Sequence, residues 1–190
     1  MISIHRVVLV FVDKPRKSMI DCRAFEVIYS LTFCIGSRAM ITQMKVRGLM
    51  FDPYNNAYIV ILRDEDRSDM LPIWVGKAEA SSISFALENI ATPRPMTHDL
   101  MKAVLDTVDA KVISVVVTDM KDNTYYSKIH LMYEDSEYSI DSRPSDAIAL
   151  ALRTNAPIFA NEDVIRKQAS EELDQWLENL KPEDFGKYES

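Results

Sequence analysis

The pattern of apolar and polar residues predicts strands that occur in neighbouring pairs. Six runs are rich in β-branched or aromatic residues: 45–51, 57–63, 70–75, 111–120, 125–133 and 138–141. The first two runs flank the segment DPYNN, in which every residue favours a turn, so they predict a β-hairpin. The fourth and fifth runs flank KDNT and predict a second hairpin. The third run contains Pro72, which lacks the N–H of a central strand and therefore indicates an edge strand or a bulge.

Helices are predicted where apolar residues recur every three or four positions. The first helix follows Gly76, and its apolar face consists of Ala80, Ile83, Ala86, Leu87 and Ile90. Thr97 is expected to cap the second helix, with Asp99 in its first turn. We expect the apolar stripe of this second helix to be buried; it consists of Leu100, Met101, Val104, Leu105 and Val108. A last helix, acidic and weakly amphipathic, is predicted over residues 162–180.

The segment DSRPSDAIALALRTNAPIF predicts the helix around which the chain is organised, followed by a short strand. Pro144 suits the first helical turn, where its missing N–H costs nothing. This places Arg143 at the N-cap and Asp146 at the third helical position. The apolar run 147–152 leaves no polar face, so we expect the helix to be buried on most sides. Asn155 can adopt the left-handed conformation that ends a helix.

Together these elements predict the α+β class: a hairpin-rich, mostly antiparallel or mixed sheet packed with helices in a single compact domain. The organisation we expect is an N-terminal extension (1–39), the domain itself (40–165), and an acidic C-terminal helix and tail (166–190). The first segment carries a net charge of +3, whereas the rest is acidic. Met40 and Met44 directly precede the first clean strand, so one hypothesis is that the extension reflects a start codon assigned too early.

Composition narrows the class of protein. The 190-residue chain carries a formal net charge of −7 and no basic run, so strong nonspecific attraction to nucleic acid is not expected. Cys22 and Cys34 both precede residue 40, which excludes a disulfide scaffold or cysteine-ligated zinc in the predicted domain. No apolar run is long enough for a signal sequence or a transmembrane helix. We therefore expect a cytoplasmic protein with no membrane contact.

Four segments resemble a known family when they are taken together. They are LPIWVG at 71–76, EA at 79–80, PRPMTHDL at 93–100 and SRPSDAIALALR at 142–153. In this order and spacing they resemble the bifunctional nuclease domain family, over about residues 44–165. The resemblance implies hydrolysis of phosphodiester bonds in both DNA and RNA. It names no catalytic residues, so candidates must come from the chemistry of this sequence.

The first candidate site is the start of the central helix. Phosphodiester hydrolysis needs an activated water and a cation on the phosphate. In a domain without cysteine, carboxylates holding Mg²⁺ or Mn²⁺ are the expected route, and no organic cofactor is expected. Asp141 and Asp146 would hold the metal, while Arg143 and the free N–H groups of the helix would bind phosphate. The alternative is that Asp146 only caps the helix and pairs with Arg143.

Two further candidates also lie at helix starts. Arg94 sits on a rigid turn between two prolines and would contact phosphate, and His98 would act as general base or metal ligand. Lys77 and Glu79 begin the first predicted helix. The alternative is that Glu79 and Asp99 only complement helix dipoles and His98 packs near a helix end. All of these side chains matter for function only if they share one solvent-open cleft.

The resemblance, together with these residues, leads to the hypothesis of a divalent-metal-dependent nuclease of low sequence specificity acting on DNA or RNA. We assign catalytic or metal-binding roles to the acids and the histidine: Asp146, Asp141, His98 and Glu79. Phosphate contacts fall to the cations: Arg94, Arg143 and Lys77. The alternative function is a non-catalytic, oligomeric ligand-binding or regulatory module with the same fold. An edge strand containing Pro72 and an apolar tail helix also predict a homo-oligomer.

Overall fold

A computed structural model of the protein describes residues 40–52, 56–64 and 69–168. In this part of the chain the elements are β1 (Ile41–Asp52), β2 (Ala57–Arg63), β3 (Met70–Val75), α1 (Lys77–Leu87), α2 (Thr97–Thr107), β4 (Lys111–Lys121), β5 (Thr124–Tyr133), β6 (Ser136–Ser142), α3 (Pro144–Thr154), β7 (Ile158–Asn161) and α4 (Glu162–Gln168). The predicted α+β class is confirmed. The extension 1–39 and the predicted helix beyond residue 168 lie outside the described residues, and their boundaries stay predictions.

The strands form one seven-stranded mixed sheet in the order β3-β2-β1-β7-β4-β5-β6. Every neighbouring pair is antiparallel except β4 and β7, which are parallel. Each half of the sheet is a meander of three strands that are consecutive in sequence. The four-residue strand β7 joins the halves, because it pairs with the start of β1 on one side and with Val115–Val117 of β4 on the other.

The strand predictions agree closely with the observed bounds. Strands β2 and β3 span the predicted runs, and the two residues at the tip of the second hairpin, Asp122 and Asn123, have positive φ. Such a conformation is typical of tight two-residue hairpin turns. Strand β3 lies at the edge of the sheet, with Pro72 opposite Ile61, as its missing N–H requires. Strand β1 begins at Ile41, before the predicted run, because its first residues pair with β7.

The sheet is strongly curved. The Tyr125 hydroxyl in β5 donates a hydrogen bond of 2.9 Å to the carbonyl oxygen of Pro72 in β3. Four strands lie between β3 and β5 in the sheet order. A flat sheet would hold these two strands about 24 Å apart, at about 4.8 Å per strand. The sheet therefore curls around the core until the start of β5 lies within side-chain reach of β3.

Helix α3 occupies the centre of the domain, as predicted. Residues Ala147 to Ala151 are each at most 1% exposed. The helix packs on β4 and β5 on one side and on α1 and α2 on others. Arg143 is its N-cap, Pro144 opens the helix, and Asn155 ends it with φ of 55°, all as expected. Ala147, Ala149 and Ala151 have small side chains, so the surrounding helices and strands can pack close to the axis of α3.

Helix α2 contradicts two predictions. Its N-cap is Met96 rather than Thr97. The Met96 N–H donates a hydrogen bond of 2.9 Å to the Asp99 carboxylate. Most of the stripe expected to be buried is instead exposed: Leu100 58%, Met101 37%, Val104 54% and Val108 50%. Leu105 alone of the five packs against the core. The physical reason is that polar side chains occupy the inward face of α2.

One residue predicted for the apolar face of α1 is also exposed. Ile90 lies beyond the end of that helix and is 46% exposed.

Within the part of the chain that the structure describes, no helix is long and apolar enough to cross a membrane.

The curvature of the sheet generates a stability prediction. Tyr125→Phe removes the hydroxyl that bonds the Pro72 carbonyl, so the free energy of unfolding should fall by about 1 kcal/mol. Tyr126→Phe is the matched control, because the neighbouring side chain is 41% exposed, and it should change stability by less than about 0.5 kcal/mol. Urea denaturation at pH 7 measures both variants. Equal effects would contradict the proposed contact between the two halves.

Alkaline pH provides a second readout of the same contact. Burial raises the pKa of the Tyr125 phenol above its ordinary value of 10.0. The native state therefore retains a proton that the unfolded chain releases, and stability should decline as the pH rises above about 10. The decline should be smaller in Tyr125→Phe than in Tyr126→Phe. Thermal unfolding between pH 8 and roughly pH 11 tests this difference.

Candidate functional site

The starts of α1, α2 and α3 meet and bring several predicted side chains together. Glu79 lies in the first turn of α1, His98 in the first turn of α2, and Asp146 in the first turn of α3. Arg143 contributes from the N-cap of α3. These residues are far apart in sequence, and hydrogen bonds link them into one charged cluster. These four side chains, each at or next to a helix start, therefore lie together.

Arg143 is the cation at the centre of the cluster. Its Nε lies 2.7 Å from Oδ2 of Asp146 and its Nη2 lies 3.1 Å from Oδ1, so the guanidinium binds that carboxylate through two nitrogens. Its Nη1 donates to Oε1 of Glu79 at 3.1 Å. The Arg143 side chain is nevertheless 66% exposed, whereas both carboxylates are 25% exposed. A guanidinium held at the surface by two acids presents its outer face to solvent.

His98 lies behind this surface and is only 9% exposed. Its Nε2 is 3.2 Å from Oδ1 of Asp146, and its Nδ1 is 2.8 Å from Oγ of Ser82 in α1. An ionised carboxylate can only accept a hydrogen bond, so Nε2 carries a proton, and Nδ1 shares a hydrogen bond with the Ser82 hydroxyl. Both ring nitrogens are therefore engaged. His98 orients Asp146 rather than facing solvent as a free base.

The hydrogen bonds and charges around Asp146 favour the ionised form of its carboxyl group. Burial alone would raise the pKa of its carboxyl, but hydrogen bonds from Arg143 and His98 outweigh burial and lower the pKa below its ordinary value. The hydrogen bonds that Arg143 donates to Asp146 also raise the pKa of Arg143. A carboxylate of depressed pKa is a weak proton acceptor near neutral pH and a good partner for cations. Asp146 is therefore suited to holding a cation.

A second ion pair supports the cluster from the far end of α3. Arg153 is 8% exposed, and its Nε lies 2.5 Å from Oδ1 of Asp99 in α2. Its Nη1 donates to the backbone carbonyls of Ser82, at 3.1 Å, and Ala149, at 2.9 Å. The hydrogen bond from Arg153 lowers the pKa of Asp99. One buried guanidinium thus ties α1, α2 and α3 together.

Three predicted site residues lie outside the charged cluster. Arg94 is exposed on the loop before α2, and its guanidinium makes no hydrogen bond or ion pair among the described residues. Lys77 is exposed at the first position of α1. Asp141 lies in the exposed strand β6, opposite Lys128, and shares no hydrogen bond with Asp146. Their predicted roles stay predictions.

The two carboxylates of the charged cluster, Glu79 and Asp146, both bind the Arg143 guanidinium. Among residues 40–52, 56–64 and 69–168, no group of three or more histidine, cysteine, aspartate or glutamate side chains is arranged to hold a metal ion. Two carboxylates, Glu79 and Asp146, face the same guanidinium from different helices. That arrangement is compatible with one or two carboxylate ligands, the number with which Mg²⁺ often binds when phosphate and water complete its shell.

Two residues of the network were not singled out from the sequence. Ser82 lies in the middle of α1, where a polar side chain among alanine and isoleucine is a weak sign of a buried partner. Arg153 lies in the last turn of α3, where a cation complements the helix dipole, so its position alone does not indicate a partner in α2. The spacing between partners explains the omission: Ser82 and His98 are 16 positions apart, and Arg153 and Asp99 are 54 apart. Sequence periodicity does not report contacts at that range.

Comparison with known proteins identifies the class to which this fold and site belong. Residues 60–172 match the family model of the bifunctional nuclease domain. The chain therefore belongs to the bifunctional nuclease domain family. An uncharacterized protein of Mycobacterium tuberculosis is 26% identical over 162 residues, covering 75% of this chain and 97% of that protein.

Plant relatives carry the name of an activity. Bifunctional nuclease 1 of Oryza sativa subsp. indica is 28% identical over 158 residues, which are 81% of this chain but 48% of the rice protein. Bifunctional nuclease 1 of Arabidopsis thaliana is 32% identical over 107 residues, which are 54% of this chain and 33% of that protein. The chain thus matches half or less of each of these plant proteins.

The Asp99–Arg153 ion pair generates a prediction about stability. Asp99→Asn leaves the buried Arg153 without its carboxylate and should lower the free energy of unfolding by about 1–3 kcal/mol at pH 7. Asp106→Asn is the matched control on the same helix, because its partner Lys102 is exposed, and it should cost less than about 0.5 kcal/mol. Urea denaturation measures the difference.

The pH dependence of the same variant has a definite sign. The folded-state pKa of Asp99 is depressed below its ordinary value of 3.8, so the stability it provides is present above 3.8 and is lost at lower pH. The gap between the wild-type protein and Asp99→Asn should therefore narrow as the pH falls below 3.8. A gap that stays constant to lower pH would show that the carboxylate charge is not what holds Arg153.

Proposed function

We propose that the protein is a nuclease of low sequence specificity that hydrolyses phosphodiester bonds in DNA and RNA. The observation that carries the proposal is the match of residues 60–172 to the bifunctional nuclease domain. The names of the rice and Arabidopsis relatives support the same reaction class. The charged cluster supports it as well, because it holds an exposed guanidinium beside two carboxylates.

In this proposal Arg143 is the phosphate contact. Its guanidinium is exposed and oriented by two carboxylates, and a planar guanidinium matches the geometry of phosphate oxygens. Arg94, exposed on the neighbouring loop, would add a second cation. These cations matter because a chain with a net charge of −7 repels a polyanion elsewhere on its surface.

The carboxylates Asp146 and Glu79 would carry the divalent-metal role. Asp146 is suited to it because its pKa is lowered and because His98 orients it from behind. A Mg²⁺ or Mn²⁺ ion bound there would act as a Lewis acid on the phosphate. Arg143, being long and exposed, would shift its contacts from the carboxylates to the phosphate. His98 is a positioning residue, since both of its nitrogens are already bonded.

The second candidate function is a non-catalytic ligand-binding or regulatory module. One observation favours it: the polar groups of the charged cluster satisfy one another, and the acids of the cluster are bonded to Arg143. Such a cluster would lock three helices together without any chemistry. Under this function the exposed guanidinium would bind an anionic ligand that is not cleaved.

Variants of the acids distinguish the two functions. The purified full-length chain is incubated with single-stranded DNA and RNA in Mg²⁺ or Mn²⁺, with chelator controls. If Asp146 holds the metal, Asp146→Asn should reduce cleavage on the order of 10–100-fold, while Asp106→Asn, on the exposed face of α2, should leave it unchanged. Circular dichroism and thermal unfolding confirm that both variants are folded.

Asp141→Asn tests whether the exposed strand β6 contributes a ligand. If the site is the charged cluster alone, this variant keeps its activity; a loss equal to that of Asp146→Asn would add Asp141 to the metal site. Cleavage that persists in Asp146→Asn would remove Asp146 from the mechanism. Cleavage no greater than that of a mock purification would reject the nuclease and favour the non-catalytic module.

A further inference from the structure

The outward side of α2 is apolar and lies open to solvent. Four residues at four-residue steps form what we term the α2 stripe: Met96 (40% exposed), Leu100 (58%), Val104 (54%) and Val108 (50%). Met101, 37% exposed, follows Leu100 on the same helix and widens the exposed apolar surface. Residues four apart lie on one side of a helix, so the stripe is continuous.

The orientation of α2 is inverted relative to an ordinary surface helix, which buries its apolar face. Its inward side carries His98, bonded to Ser82 and Asp146, and Asp99, bonded to Arg153. Rolling the helix to bury the stripe would break these bonds and leave a buried guanidinium unpaired. The inward bonds therefore hold the stripe outward, where it is exposed and contributes little to the core formed by the described residues.

Charges on α2 indicate what kind of partner fits the stripe. The charged side chains of this helix are compensated within the protein: Lys102 pairs with Asp106 at 2.6 Å, and Asp99 pairs with Arg153. The Thr107 hydroxyl donates to the Ala103 carbonyl of its own helix, which leaves its methyl group for contact. The outward side of the helix itself thus offers no uncompensated cation to nucleic acid or to an anionic membrane, and the exposed Arg94 lies on the loop that precedes the stripe.

We propose that the α2 stripe is an interface between two copies of this chain. Copies that each carry −7 repel one another in general, and this neutral apolar side is a place where they can meet without opposing like charges. A two-fold contact uses the same surface on both copies, so an apolar stripe is its own complement. An edge strand and the tail helix predicted a homo-oligomer from the sequence, whereas this proposal places the contact on α2.

The available area suits this partner. Five apolar side chains on α2, each about half exposed, offer roughly 400 Å² per copy, or about 800 Å² for a pair, which is in the range of weak and transient protein interfaces. An exposed apolar patch of this size is within the range of the largest patches on monomers, which are often interaction sites. We therefore expect reversible association in the micromolar range rather than a permanent dimer.

Sedimentation velocity of the full-length chain from about 1 to 100 μM tests the proposal, because that range brackets the expected dissociation constant. The wild-type protein should increase in mass with concentration. Leu100→Gln/Val104→Gln should weaken association at least about tenfold, because it places polar groups in the centre of the contact. Both positions are exposed, so circular dichroism and thermal unfolding should match the wild type.

Tyr138→Gln/Ile140→Gln is the matched control, since these side chains are 50% and 47% exposed on the edge strand β6. This control should associate like the wild type. A wild-type chain that stays monomeric at 100 μM would overturn the proposal, and so would association lost in the β6 control but kept in the α2 variant. Binding to anionic vesicles that only the α2 variant loses would assign the stripe to a membrane instead. None of these readouts depends on nuclease activity.

Discussion

The burial of α3 on every side is the constraint on which the rest of the structure depends. A helix whose middle residues, Ala147 to Ala151, are at most 1% exposed must be covered by the sheet below and by α1 and α2 around it. Its polar ends must then be satisfied without full access to water. Arg143 and Asp146 satisfy the first end with Glu79 and His98, and Arg153 satisfies the last. Helix α2 is therefore oriented by polar bonds rather than by its apolar face, whereas α1 also buries Ala80 and Ile83.

The same helix also completes the sheet. The chain leaves α3 through Asn155 and enters β7, which is parallel to β4 and antiparallel to β1. Two three-stranded meanders would otherwise be separate units, and the short strand between them makes one curved sheet. The Tyr125–Pro72 bond shows how far that curvature goes. The core, the closure of the sheet and the charged cluster thus all derive from one segment of the chain.

Structure and chemistry overlap in the charged cluster. The side chains proposed to act on phosphate are also those that hold three helices together, so removing one can affect both stability and activity. Exposure separates the two roles: Arg143 is 66% exposed, whereas Arg153, which is bonded in a similar way, is 8% exposed. A guanidinium that only stabilised the helices would be expected to resemble Arg153. The exposure of Arg143 is the feature that makes the α3 start a candidate site and not only a cap.

The sequence by itself determined the features that depend on neighbours along the chain. Pro144 and Asn155 predicted the bounds of α3, Pro72 predicted an edge strand, and the apolar run predicted a buried helix, because backbone geometry and side-chain polarity act locally. Only the tertiary structure decided how α2 is turned, which hydroxyl His98 meets, and that Arg143 links Glu79 with Asp146. An amphipathic pattern identifies an apolar face, but it does not say whether other bonds hold that face toward the core or toward solvent. Those bonds join residues 16 to 64 positions apart, and they form only once α3 has brought the helix starts together.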